Sequence, residues 1–435
     1  MPGRISLYTL GCRLNQAETA LIGRSFEEKG YTLVPFEEPA ELCVINTCSV
    51  TESAEAKCRN LVRSLLRRSP QTFVALTGCY AQIGVEKLKE IRGLDLIAGN
   101  EFKMKIANYI SSTEKLAEPV VLHTPKMSTG EFTLDFIGDF TERTRANIKV
   151  QDGCNFFCSF CIIPYTRGRE RSRKFEDIVR EARHLAEKGY KEVVLTGVNM
   201  GRYENEGKRL VDVLRSLEEV EGIARIRLAS VEPTTIDDEF ITAMGSSEKI
   251  CRHLHLPIQS GDDRILKEMR RRYTVAEYSR FVEKIASELP GVGIGTDVIT
   301  GFPGEGEEEF STTRRTVLSL PFTYLHVFSY SPRPGTRATA LARRVHPNLI
   351  KERTTTMREI SVRLKEQFAR NHVGKVVSVL FEQREEEGWF SGLADNYMKV
   401  GVMTRQDLAN QLLPVEITDT LGGIAVGRLI SKSAA

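Results

Sequence analysis

The chain has 435 residues, 41% hydrophobic and 27% charged. That composition excludes wholesale disorder and a collagen-like fibre and allows about three domains. Sixty-one Lys and Arg against 58 Asp and Glu leave a net charge of +3, so overall charge does not announce a nucleic-acid binder. The opening segment, MPGRISLYTLG, runs almost at once into a strand pattern, unlike a signal peptide. The longest mostly apolar stretch, 73–85, falls short of the roughly 20 residues that span a bilayer. A cytoplasmic protein with no membrane partner is expected. In a reducing compartment its nine cysteines point to metal binding or catalysis rather than disulfides.

Residues 1–120 alternate buried-strand patterns (5–11, 41–47, 72–78, 94–100) with helical ones at about 16–28 and 52–68. Gly30 stops the first helix and Pro70 follows the second. Such alternation predicts a parallel sheet covered by helices. Cys12, Cys48 and Cys79 each fall at the end of one of these strands. The C-terminal strand ends of a parallel sheet share one edge, where ligands bind, so the three can converge despite gaps of 36 and 31 residues. From the residues alone, a second metal site competes here with ordinary buried or redox-active cysteines. Cys43 inside a strand and Cys58 inside a helix read as small packing residues. Residues 121–140, with Pro125, Gly130 and Gly138, read as a linker.

A second series occupies residues 141–370. Strand patterns at 146–152, 192–198, 225–231, 253–259, 294–300 and 324–330 alternate with helical ones near 175–189, 208–220, 234–244, 274–289 and 306–319. Six βα units predict an open, partial (β/α) barrel whose chemistry sits at the C-terminal strand ends. Right after the first strand comes Cys154-Asn-Phe-Phe-Cys158-Ser-Phe-Cys161, a C-x3-C-x2-C cluster. Three thiolates on one short loop suit an iron–sulfur cluster or another thiophilic metal. Structural zinc normally takes four Cys or His ligands, and no fourth stands nearby. Cys251 reads as a packing residue. The seven histidines show no metal spacing such as H-E-x-x-H and are assigned to core or surface. Gly301-Phe-Pro-Gly304-Glu-Gly306 lacks a Walker lysine and reads as a strand-to-helix turn.

Charge is more local than its total. Residues 141–174 hold eight Lys or Arg against three Asp or Glu, with Arg167, Arg169, Arg171, Arg173 and Lys174 crowded behind Cys161. Beside an active site this patch suits RNA phosphates, and Arg270-Arg271-Arg272 offers a second, weaker one. A charged helical stretch at 350–370 leads into residues 371–435, where short strands alternate with Gly and acidic turns. That pattern predicts a small all-β barrel. With six basic and eight acidic residues it departs from a basic RNA-binding module. Its Trp389, Phe390 and Tyr397 either stack on bases or fill the core.

The Cys154 loop, with Phe160 in the aromatic place, resembles the C-x3-C-x-aromatic-C signature of the radical S-adenosylmethionine (SAM) superfamily. Further motifs resemble the methylthiotransferase family over essentially the whole chain. They are Gly11-Cys12-Arg13-Leu14-Asn15-Gln16-Ala17-Glu18-Thr19, Asn46-Thr47-Cys48-Ser49-Val50, Thr77-Gly78-Cys79, Pro164-Tyr-Thr-Arg167-Gly168-Arg169, His255-Leu-Pro257-Ile-Gln259-Ser-Gly261 and Asp297-Val-Ile-Thr-Gly301-Phe302-Pro303-Gly304-Glu305. The resemblance implies an α/β chain of an auxiliary-cluster domain (1–120), a radical-SAM core (141–370) with an open (βα)6 barrel, and a TRAM-like β-barrel (371–435).

It implies two 4Fe–4S clusters: Cys154, Cys158 and Cys161 hold the one that reduces SAM to a deoxyadenosyl radical, and Cys12, Cys48 and Cys79 hold an auxiliary one that carries the inserted sulfur. Phe160 would flank the SAM adenine, with Gly197, Glu232, Gln259 and Gly301 along the SAM pocket. The implied partners are a tRNA anticodon stem-loop and a flavodoxin- or ferredoxin-type electron donor, not DNA. The context of Cys12 and the run Cys251-Arg252-His253-Leu254-His255 most resemble the branch that converts N6-threonylcarbamoyladenosine at tRNA position 37 to its 2-methylthio derivative. Other readings are the isopentenyladenosine branch, the branch acting on a ribosomal-protein aspartate, a radical-SAM methylase, and a non-catalytic iron–sulfur RNA-binding protein.

Overall fold

The computed structural model describes residues 3–127, 132–134, 144–385 and 388–430. The first sheet is built from β1 (Arg4–Thr9), β2 (Thr32–Val34), β3 (Leu42–Thr47), β4 (Phe73–Gly78), β5 (Leu96–Ala98) and β6 (Val120–Leu122). They pair in parallel in the order β2-β1-β3-β4-β5-β6. β3 and β4 are buried at every residue, which is why they read as continuous apolar runs rather than alternating ones. Helix α1 (Arg13–Glu27) follows β1, α2 (Glu52–Arg68) follows β3, and the short α3 (Cys79–Ile83) follows β4. The Thr51 hydroxyl caps α2 by accepting from the Ala54 N–H, and its first turn is acidic and its last basic, as the helix dipole favours.

Strands β2 and β6 escape sequence reading because each spans three partly exposed residues, too few to show a period. β6 lies in the segment expected to be a linker and pairs with β5, so the sheet continues to Leu122. Of the rest of that expectation, 123–127 and 132–134 are described, with Phe132 in a parallel bridge to Arg173, while 128–131 and 135–140 lie outside the described residues.

Six parallel strands then follow in chain order: Arg145–Lys149, Glu192–Thr196, Arg225–Leu228, His253–His255, Gly293–Thr300 and Tyr324–Ser329. Bridges between Ile226 and Ile250 and between Ser230 and His255 join the two halves of the series. Among the described residues no ladder ties the first strand to the sixth, so the expected open barrel is the one observed. Ile148, Val193, Leu195, Ile226, Leu254 and Ile294 pack under helical Ile178, Leu214, Phe240 and Val282 in one core. That core fixes the strand ends on which the site is built.

The helix Pro347–Arg370 leads into a closed five-stranded barrel of Val376–Arg384, Trp389–Ala394, Lys399–Met403, Leu412–Leu421 and Ile424–Leu429. Phe381, Phe390, Val400, Val415 and Ile417 fill its interior. Phe390 is therefore a core residue. Tyr397 belongs to a domain contact: its ring stacks on His253 at 4.5 Å and its hydroxyl accepts from Arg13 at 2.6 Å. The barrel docks through backbone carbonyls. Arg225 donates to Leu393 O at 2.9 Å, and Arg227, buried against Glu192, donates to Asp395 O at 2.8 Å and Ala394 O at 3.0 Å. Among the described residues no helix is long and apolar enough to cross a membrane.

Candidate active site

Three turns at the C-terminal edge of the first sheet carry Cys12, Cys48 and Cys79: the first at the N-cap of α1, the second just past β3, the third opening α3. Side chains lace these turns together. Asn15 Nδ2 donates to Leu10 O (2.7 Å) and Thr47 O (3.0 Å). The Thr47 hydroxyl donates to Thr77 O (2.6 Å) and accepts from the N–H groups of Tyr80 and Ala81 (3.1 Å each). Gly11, at φ +100°, lets the first turn close on the second, since a Cβ there would stand 2.9 Å from Cys48 Sγ. The three thiols lie within electrostatic reach of one another, and burial pushes Cys48 up to about 11. Cys12 keeps accessible surface in a dense crevice that also raises its thiol, while Arg167 works in the opposite direction.

The second set sits on the loop after the first barrel strand. Gly153 makes the turn at φ +70°, where an added Cβ would fall 1.9 Å from Arg169 O. The Phe156 N–H donates to Cys154 Sγ at 3.4 Å, and the Cys161 N–H to Cys158 O at 3.0 Å. Ser159 anchors the loop by donating to Met269 O from its N–H (3.0 Å) and to Glu268 O from its hydroxyl (2.7 Å). Burial pushes the Cys161 thiol up to about 12. Gly153→Ala is expected to displace this loop and abolish iron loading at Cys154, Cys158 and Cys161, as read by iron content. A fully loaded Ala variant would contradict the geometry.

Both sets fit the implied clusters in donor chemistry. Neither brings three sulfur atoms within 4.8 Å of one another, whereas a single tetrahedral ion with 2.3 Å bonds would hold thiolates ~3.8 Å apart. A four-iron cube spreads its thiolates over separate irons, and three ligands leave its fourth iron open.

The residues expected along a SAM pocket lie at the same strand ends. Phe160 packs against the small cluster of Ile265, Met269, Ile299, Phe302 and Ala338; Gly197 backs onto Gln151; Gln259, at φ +69°, bridges to Val298. Glu232 follows the third strand, and its carboxyl, raised by burial against the pull of Arg271, accepts from that guanidinium at 2.6 and 2.7 Å. Arg271 also donates to Cys158 Sγ at 3.4 Å. Expected as part of a surface patch, Arg271 is instead buried at the cluster loop.

Arg167 and Arg173 correct the expected RNA patch more sharply, for each is 1% exposed. Arg173 pairs with Glu181. Arg167 donates to Glu18 (2.8 and 3.0 Å), Asp152 (3.0 Å) and Asn15 (2.6 Å). Glu18 also accepts from Lys103 (2.6 Å) and Lys149 (2.8 Å). Burial alone would raise the Glu18 carboxyl, but Arg167, Lys103 and Lys149 overcome it and hold the group well below its ordinary range. This network joins the first domain to the barrel between the two thiol sets, and Arg167 is a counter-charge for Cys12 and Cys48. Asn100 spans the same junction, donating to Thr166 O at 2.7 Å with Cys79 Sγ 3.9 Å away. Of the remaining patch residues, Arg169 is exposed with its guanidinium over Phe157, while Arg171 and Lys174 are half-buried.

An open βα barrel with three thiols on the loop after its first strand is the architecture of the radical-SAM class. Residues 148–317 match the Radical SAM superfamily model, and residues 4–99 match the Uncharacterized protein family UPF0004. The solved radical S-adenosylmethionine methyltransferase TsrM from Kitasatospora setae shares the fold, with a TM-score of 0.55 at 15% identity over 76% of this chain and 77% of that one. The threonylcarbamoyladenosine tRNA methylthiotransferase MtaB of Bacillus subtilis is 39% identical, covering 95% of this chain and 93% of its own length. The MtaB of Aquifex aeolicus is 38% identical over 92% of this chain and 99% of its own. A tRNA-2-methylthio-N(6)-dimethylallyladenosine synthase of Clostridium tetani is 32% identical, covering 96% and 94%. The chain belongs to the radical-SAM methylthiotransferase family, in its MtaB branch.

Proposed function

We propose that this protein converts N6-threonylcarbamoyladenosine at tRNA position 37 to its 2-methylthio derivative, with SAM and two 4Fe–4S clusters. The observation that carries the reading is the pair of three-thiol sets linked through one segment, 166–168, in a chain whose relatives at 35–39% identity are named threonylcarbamoyladenosine tRNA methylthiotransferases. That segment reaches Cys79 through Asn100, faces Cys12 and Cys48 with Arg167, and accepts from the Cys154 N–H at Gly168 O (3.1 Å). When bound, the cluster at Cys154, Cys158 and Cys161 supplies the electron that cleaves SAM, and the one at Cys12, Cys48 and Cys79 supplies sulfur. The chain's own residues set the stage for that exchange. Arg271 holds a positive charge against Cys158 and keeps Glu232 oriented at the third strand end. Phe160, Gly197, Gln259 and Gly301 shape the SAM pocket around them. Arg167 provides the matching positive charge on the auxiliary side. A low-potential one-electron donor of flavodoxin or ferredoxin type completes the reaction, and a cytoplasmic location is in keeping with a tRNA substrate.

Deletion of the gene is expected to remove 2-methylthio-N6-threonylcarbamoyladenosine from cellular tRNA, as read by nucleoside mass spectrometry. Unchanged levels in a strain with no paralogue would reject the substrate. Among the arginines behind Cys161, exposed Arg169 is the residue placed to meet a phosphate. Arg169→Ala is expected to weaken tRNA binding and to lower the slope of log K against log salt by about one. An unaltered slope would remove Arg169 from the interface.

A further inference from the structure

Three side chains that the proposed reaction does not use stand at one level inside the open barrel. Asp297 on the fifth strand pairs in register with His326 on the sixth. His255, last residue of the fourth, places Nε2 2.9 Å from Asp297 Oδ1, and His326 Nδ1 lies 3.5 Å from the same oxygen. The two imidazole rings are 4.8 Å apart. His255 is buried, Asp297 is a fifth exposed, and His326 is half exposed at the open side.

Asp297 differs from the other enclosed acids of the fold. Glu18, Asp152, Glu192 and Glu305 each meet a Lys or Arg. Among the described residues, Asp297 is paired with no Lys or Arg and faces only two imidazoles. A largely buried carboxylate is costly unless it is paired or binds a metal. The other ring nitrogen of His255 lies 3.2 Å from the Tyr324 hydroxyl, the kind of outer contact that orients a ligating imidazole. Gly295 makes room for that tyrosine, since a Cβ there would fall 2.1 Å from its ring.

We propose that His255 Nε2, Asp297 Oδ1 and His326 Nδ1 bind one divalent transition-metal ion of the zinc class, in the barrel lumen and separate from both thiol sites. Bonds of 2.0–2.2 Å set tetrahedral donors ~3.4 Å apart, and the observed 2.9 and 3.5 Å bracket that spacing. Two imidazoles and a carboxylate suit zinc, iron(II) or manganese better than a thiophilic ion. Three protein ligands leave a position open, which takes water or an anionic oxygen donor. The residues come from three strands and meet through register, so no linear spacing in the sequence announces them.

The test uses the full chain with both clusters reconstituted, passed through chelator and equilibrated with zinc, then analysed for zinc and iron together. About one zinc per chain is expected, with affinity reduced at least tenfold in Asp297→Asn and in His326→Ala while iron content stays at the parent value. Zinc below about a tenth of an equivalent in the parent would overturn the proposal. So would zinc retained equally by both variants, the signature of binding at vacant thiols. His326 is half exposed, so its truncation leaves the packing intact and decides the matter even if the Asp297 variant does not fold.

Discussion

A chain carrying Cys12→Ala, Cys48→Ala and Cys79→Ala is expected to bind about four irons where the parent binds about eight, to keep cleaving SAM, and to form no methylthiolated nucleoside. The reasoning is spatial. The three mutated thiols sit on turns of the first sheet, whereas the SAM-side loop is anchored by Ser159 on Glu268 and Met269 and by Gly153 on its own turn. Nothing in that anchoring passes through Cys12, Cys48 or Cys79, so the second cluster survives loss of the first. Iron analysis, deoxyadenosine formation and nucleoside mass spectrometry read the three outcomes separately. Four irons in the parent would end the two-cluster reading; methylthiolation by the variant would end the auxiliary role.

Glu18→Gln is expected to cost about 3–5 kcal/mol of the contact between the first domain and the barrel. The substitution leaves Lys103, Lys149 and Arg167 enclosed with Asp152 as the one remaining carboxylate of the network. An unbalanced buried charge is dearer than a missing hydrogen bond, which is why replacing one partner hurts more than replacing the set. Glu18→Leu combined with Lys103→Met is expected to recover part of the loss. Anaerobic thermal unfolding measures it, and a Gln variant that melts with the parent would refute the lock.

The same network fixes a pH response. The folded Glu18 carboxyl lies well below its unfolded value near 4.3, so its contribution is complete above that value and fades as pH falls through the folded one. Stability from this source is therefore flat from pH 8 to about 5 and declines only in acid.

What the sequence discloses depends on how local each constellation is. The SAM-side cysteines span eight residues, and their loop is legible at sight. Cys12, Cys48 and Cys79 are far apart in the chain but obey one rule, that each ends a strand, and parallel pairing of β1, β3 and β4 turns that rule into proximity. Arg167 and Arg173 defeat such reading because charge is visible in a sequence and burial is not. Their acidic partners, Glu18 and Glu181, lie 149 residues upstream and 8 residues downstream. Arg271 was legible as a charge but not as the neighbour of Cys158, since 113 residues separate the two. The short strands β2 and β6 were missed for want of length.

The lock at Glu18 also has a history within each round of protein synthesis. Its glutamate leaves the ribosome 149 residues before Arg167. Cys79, the last auxiliary thiol to be made, precedes Arg167 by 88 residues, so at ~5–20 residues per second roughly 4–18 s pass in which all three thiols exist and their guanidinium does not. Arg13, adjacent to Cys12, waits longer still for the Tyr397 hydroxyl, 384 residues downstream. The nascent first domain thus lacks the contacts around its thiols until the last barrel has closed on Arg13.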